Sequence, residues 1–171
     1  MNSRTGSDQL PLFGADVAAS RDPQLETVSR FRLELVAEKA TAYSPDVRMD
    51  RPEAAAEWMS GQIASRPQEH MIAAYLNTRQ KLIGWSVIAI GTINRASVEP
   101  RAILQVGLAL NAAGFILSHN HPSGDPTPSA EDLAFTRRAS EAGDIVGVRL
   151  IDHLIVGDGG RWVSLRRRGA I

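Results

Sequence analysis

Three large apolar residues in a row, Phe115-Ile116-Leu117, constrain this 171-residue chain more than any other stretch. Successive side chains of an extended strand point to opposite faces, so an unbroken apolar run demands cover both above and below. The segment reads as a central strand of a sheet with other layers packed on it. It leads directly into Ser118-His119-Asn120-His121, so polar side chains stand where a core strand ends.

The flanking sequence supplies the layers. Phe31, Leu33 and Leu35 alternate with Arg30, Arg32 and Glu34, the period of a half-buried strand, and the folded domain is expected to begin there. Residues 1–29 mix Gly, Ser, Asp, Arg and Pro around one short apolar patch, Leu10-Pro11-Leu12-Phe13, and read as a flexible arm. Pro52 opens an Ala- and Glu-rich helix to Ile63, with Asp50 or Arg51 as its cap. Glu69 to Leu76 and Leu82 to Ile90 read as strands joined by the polar run Asn77 to Lys81. A second helix is expected from Pro100 to Asn111, with Gly114 as its stop, and a third from Ala130 to Ala142, ending at Gly143. Val148 to Val156 and Arg161 to Leu165 close a hairpin around Asp158-Gly159-Gly160. The expected class is α/β (mixed α+β), one domain over residues 30–166 with a mixed sheet flanked by helices. A short basic tail, 167–171, follows; the cluster Arg166-Arg167-Arg168 reads as a solvated end rather than a phosphate clamp.

Composition narrows the chemistry. With no cysteine in the chain, disulfides, thiolate metal sites and cysteine nucleophiles are excluded, and any metal must be held by His, Asp or Glu. Nineteen Lys and Arg balance nineteen Asp and Glu, which gives no electrostatic footprint for nucleic acid or anionic lipid. No apolar window is long enough to span a membrane, and the first residues lack the apolar core of a secretory signal, so the chain reads as cytoplasmic.

His119 and His121, two apart on extended backbone, project to the same face and can reach one ion. Asp132 lies about one turn into the following helix, and the intervening loop, rich in Pro and Gly, can bend its carboxylate back to that ion. Two His and one Asp leave the fourth position of a tetrahedral Zn²⁺ open, the pattern of a catalytic site. Ser129 and Asp132 also fit a capping box at the helix start, which explains that pair without a metal. His70 and His153, each alone in an apolar strand, read as hydrogen-bonded core or supporting residues. Glu69, at the mouth of its strand, is placed either as a general base or as an ordinary exposed strand-end glutamate.

The string His119-x-His121, seven residues, Ser129, two residues and Asp132 resembles the JAMM (also MPN or JAB) metalloprotease signature. The fuller run from His119 to Asp132 resembles the RadC branch of that family. Gly91-Thr92-Ile93-Asn94, Val98-Glu99-Pro100-Arg101, Asn111-Ala112-Ala113-Gly114 and Asp152-His153-Leu154-Ile155-Val156-Gly157 extend the likeness from about Phe31 to Leu165. The resemblance implies a deaminase-like JAB/MPN fold and one Zn²⁺ per chain on His119, His121 and Asp132. It also implies Glu69 as the catalytic base and Ser129 as the donor to the oxyanion. The implied reaction is attack of zinc-activated water on a peptide or isopeptide carbonyl of a protein substrate.

Two departures from the family pattern stand out. The 30 or so residues ahead of the domain read as too short and too irregular to hold the helix-hairpin-helix region of full-length RadC-like proteins, so a short form is expected; and Ala102 follows Pro100-Arg101 where the family often carries Glu. The RadC name is associated with DNA repair, which keeps a nucleic-acid factor as an alternative, although zero net charge does not support it. A second alternative is an inactive MPN binding module, a class that typically lacks one or more of the ligands present here.

Overall fold

Proline at the first helical position, apolar alternation and polar turns set the element order. In the computed structural model, which describes residues 47–91 and 98–171, the chain runs α1 (Pro52–Ile63), β1 (His70–Leu76), β2 (Leu82–Ile90), α2 (Pro100–Ala109), β3 (Gly114–Asn120), α3 (Ala130–Val146), β4 (Arg149–Val156), a single 3-10 turn (Asp158–Gly160) and β5 (Trp162–Ser164). The expected arm over 1–29 and the strand around Phe31 to Leu35 lie outside the described residues.

The five strands form one mixed sheet in the order β2-β1-β3-β4-β5. β3 runs parallel to β4, with α3 as the crossover between them, and the remaining pairs are antiparallel. All seven residues of β3 are buried. Alternate side chains feed two cores: Ile116 joins Ile72, Ala74, Leu154 and the α1 residues Met59 and Ile63 on one face. Phe115 and Leu117 join Tyr75, Ile103 and the α3 residues Phe135 and Ala139 on the other. Burying each large side chain of this run contributes about 1.5–3 kcal/mol, which offsets the cost of carrying Ser118, His119 and Asn120 into the same buried strand. Tyr75 donates a hydrogen bond to the Ile103 carbonyl at 3.0 Å and so fastens α2 to the sheet. Its burial pushes the phenol up to about 12.

One irregularity decides which residue faces the polar end of β3. Phe115 pairs with Leu150, but Ile116 pairs with Asp152, so Ile151 is an extra residue in β4. Leu150 belongs to the core under α2 and α3. Ile151 and Asp152 both turn the other way, lining one hollow with Pro52 and Ala55 of α1. His153 then returns to the α3 face, beside Leu117. Without the bulge, strict alternation would have turned His153 away.

Two helix ends differ from expectation. α2 stops at Ala109, with Leu110 as its C-cap and Asn111 in the left-handed region, while Gly114 opens β3 instead of ending the helix. α3 runs through Gly143 and ends at Gly147, whose φ is +77°. Gly143 serves close packing: a Cβ there would lie 2.5 Å from the Val148 carbonyl oxygen. At the start of α1, Arg51 is the cap residue but makes no side-chain capping bond.

Candidate metal centre

His119 is the sixth residue of β3, and Met71 of β1 is its antiparallel partner. Continuing that register two residues past the pair brings Glu69, just ahead of β1, opposite His121, just beyond β3. Period-2 alternation puts Glu69, His119 and His121 on the same face, the one covered by α3. His119 Nε2 lies 3.1 Å from His121 Nε2 and 3.9 Å from Glu69 Oε1. These three residues form a group whose ligand atoms all lie within 4.8 Å of one another and which could hold a metal ion.

Asp132 reaches the same point from the first turn of α3. Its Oδ1 is 3.1 Å from His119 Nε2, and its Oδ2 is 3.7 Å from His121 Nε2. The capping box expected at this helix start is formed: the Ser129 amide and hydroxyl both donate to Asp132 Oδ2, at 2.7 and 2.6 Å, and the Asp132 amide donates back to Ser129 Oγ. The cap thereby fixes the carboxylate that faces the histidines. His119 and Asp132 are fully buried, whereas the side chains of Glu69 and His121 keep 17% exposure each, so the cluster opens to solvent on the Glu69 and His121 side.

The loop between His121 and Asp132 is tied down by its backbone. His121 donates its amide to the Val156 carbonyl, Gly124 donates back to the His121 carbonyl, and the Gly124 carbonyl accepts from the Asp158 amide and from the Arg161 guanidinium at 2.7 Å. His121 Nδ1 sits 2.7 Å from the Asp125 carbonyl oxygen. A carbonyl only accepts, so Nδ1 carries a proton and Nε2 is the ring nitrogen turned inward toward His119. The Asp125 side chain accepts from the Thr127 hydroxyl and amide, which hold its carboxyl below the usual aspartate range.

On the opposite face of β3, Asn120 fixes the approach to Glu69. Its Oδ1 accepts from the His70 amide at 2.7 Å, and its Nδ2 donates to the Arg66 and Gln68 carbonyls at 3.2 Å each. The Glu69 carbonyl is held in turn by the Gly91 amide at 2.9 Å. His70 turns its ring Nδ1 to the Gln68 carbonyl at 2.9 Å. His153 is buried and lies 2.9 Å from His119 Nδ1. Ala102 stands exposed in the first turn of α2.

Sequence reasoning named the residues that converge but missed two that hold them. Asn120 gives no local signal, because its partners Arg66, Gln68 and His70 lie about fifty positions away in sequence. Thr136, whose hydroxyl lies 2.6 Å from His153 Nδ1, is four residues beyond Asp132 and so shares its face of α3; that spacing is the signal that could have found it.

Ligands bonded at about 2.0–2.1 Å around a tetrahedral ion stand about 3.3 Å apart, close to the 3.1 Å separating His119 Nε2 from both His121 Nε2 and Asp132 Oδ1; the third spacing, His121 Nε2 to Asp132, is wider and falls on the other oxygen, Oδ2, at 3.7 Å.

Comparison with known proteins agrees on the kind of domain. The RadC-like JAB domain family matches residues 49–170. A UPF0758 protein of Shouchella clausii is 46% identical over 118 residues, covering 69% of this chain and 51% of that protein. A UPF0758 protein of Bacillus licheniformis is 43% identical over 118 residues, covering 69% and 52%, and one of Desulforamulus reducens 46% identical over 104 residues, covering 61% and 45%. The chain thus spans about half the length of these relatives, and none of their names states an activity. Among the described residues no helix is long and apolar enough to cross a membrane.

Proposed function

Because the chain belongs to the RadC-like JAB domain family, we propose that it is a zinc-dependent hydrolase of peptide or isopeptide bonds, with His119, His121 and Asp132 as the zinc ligands and Glu69 as the proton carrier. One observation carries this reading: His119 Nε2 lies 3.1 Å from both His121 Nε2 and Oδ1 of the buried Asp132, whose Oδ2 is 3.7 Å from His121 Nε2, with a second, partly exposed carboxylate on the open side. Two nitrogens and one oxygen suit zinc among the common ions, since magnesium and calcium prefer all-oxygen sets.

When bound, zinc supplies Lewis-acid polarisation of a carbonyl and acidifies a water toward neutrality. The chain's own residues do the rest. Glu69, at the open edge, takes the proton that water gives up as its oxygen bonds to the carbonyl carbon. Glu69 then passes that proton to the amine nitrogen as the C–N bond breaks. Ser129 holds Asp132 through its hydroxyl, and rotation of that hydroxyl away from Oδ2 would let it donate to the carbonyl oxygen as negative charge develops there. The partner in this reading is a protein carrying an extended peptide or an acylated lysine side chain.

The test is release of a free amine from fluorogenic peptides and from lysine isopeptide conjugates by the zinc-loaded full chain. Glu69→Gln is expected to keep zinc and lose turnover, while His119→Ala loses both. Cleavage that persists undiminished in Glu69→Gln would contradict the role of Glu69. Absence of cleavage by zinc-loaded wild type across both substrate classes would leave a metal-binding module without this chemistry.

A further inference from the structure

We infer that a buried hydrogen-bond chain, Thr136 to His153 to His119, sets the tautomer of His119 and aims its Nε2 lone pair at the metal. The inference rests on the metal-site reading above and adds two positioning residues to it.

The direction of the chain follows from its first member. Thr136 Oγ1 lies 2.6 Å from the Asp132 carbonyl oxygen, which can only accept, so the single hydroxyl proton points there. The hydroxyl is then an acceptor toward His153 Nδ1 at 2.6 Å, so that nitrogen carries a proton. With its proton on Nδ1, His153 offers Nε2 as an acceptor, and the nitrogen facing it at 2.9 Å is His119 Nδ1, which then donates. The His119 proton is thereby on Nδ1, and Nε2 is left as a ligand atom facing His121 and Asp132.

Three features make this arrangement specific. Thr136, His153, His119 and Asp132 are all fully buried, so bulk water does not substitute for a missing partner. The bulge at Ile151 is what turns His153 to this face. Thr136 stands one turn beyond Asp132 on α3, so one hydroxyl braces both proposed ligand residues: Asp132 through its backbone and His119 through His153.

Long-range proton–nitrogen spectra of the zinc-loaded full chain read the tautomers directly. Both His119 and His153 are expected to be protonated on Nδ1 and bare on Nε2. Zinc affinity, measured by competition with a chromophoric chelator, is expected to fall about 10–100-fold in Thr136→Val and to return to within about 3-fold of wild type in Thr136→Ser. A proton on His153 Nε2, or wild-type zinc affinity in a folded Thr136→Val, would overturn the inference. If Thr136→Val does not fold by circular dichroism, the wild-type tautomers decide alone. Neither readout uses hydrolysis, so an inert enzyme with both histidines protonated on Nδ1 would refute the proposed reaction and leave the chain standing.

Discussion

Asn120→Ala removes three hydrogen bonds from a side chain that is 2% exposed. At about 1 kcal/mol net for each bond the loss is about 3 kcal/mol. The Arg66 and Gln68 carbonyls belong to exposed residues and can recover water, which lowers the figure to about 2–3 kcal/mol. The His70 amide, beside the strand, recovers less. Asn120→Asp sharpens the test, because a carboxylate still accepts from the His70 amide but has no proton for the two carbonyls and faces them with negative charge. It is expected to be at least as unstable as Asn120→Ala at neutral pH. Urea unfolding followed by circular dichroism should show the midpoint falling by about 1 M with the slope unchanged. Zinc affinity should change little if Glu69 is not a ligand, since Asn120 lies on the face of β3 away from His119. A stability loss under about 0.5 kcal/mol, or an Asn120→Asp variant as stable as wild type, would refute the reasoning that these bonds hold the segment before β1.

Three further outcomes follow from packing and charge. Among the described residues Ser118 Oγ is buried without a hydrogen-bond partner, so Ser118→Ala should raise stability by about 1 kcal/mol in the same unfolding assay, and an equal loss would contradict this. Gly143→Ala, which in an exposed helix would gain up to about 1 kcal/mol, should instead lose about 1–3 kcal/mol because its Cβ meets the Val148 carbonyl oxygen at 2.5 Å; any gain would show that α3 can shift. Glu53 pairs with Arg167, whose guanidinium holds the carboxyl below the usual glutamate range. Its folded pKa is depressed, so its contribution is present above the unfolded value of about 4.3 and lost as pH falls through the folded one. The Tm difference between wild type and Glu53→Gln should therefore shrink on acidification, and a difference that grows would reverse the sign.

Much of the molecule was legible because its signals are local. Strand-like apolar runs and the polar turns between them marked β1, β2 and β4 to within a residue or so, and Pro52 and Pro100 marked two helix starts at the residue itself. Glycine misled where its purpose was tertiary: Gly143 is small because Val148 crosses it, and Gly114 begins a strand that Arg149 overlies. The convergence of His119, His121 and Asp132 could be anticipated from strand alternation and one helical turn. The supports could not. Which way His153 faces depends on one extra residue in β4, and no periodicity announces a bulge. The reach of Asn120 to Arg66, Gln68 and His70 depends on how the segment after α1 folds back, a contact across about fifty positions in sequence.

The proposed division of labour, Asp132 as ligand and Glu69 as proton carrier, is tested most directly by the zinc content of purified variants of this chain, read by elemental mass spectrometry. About one zinc per chain is expected in wild type and in Glu69→Gln, and essentially none in Asp132→Ala or His121→Ala. Zinc lost from Glu69→Gln but kept in Asp132→Ala would make Glu69 the ligand and Asp132 only the helix cap, and would contradict the assignment.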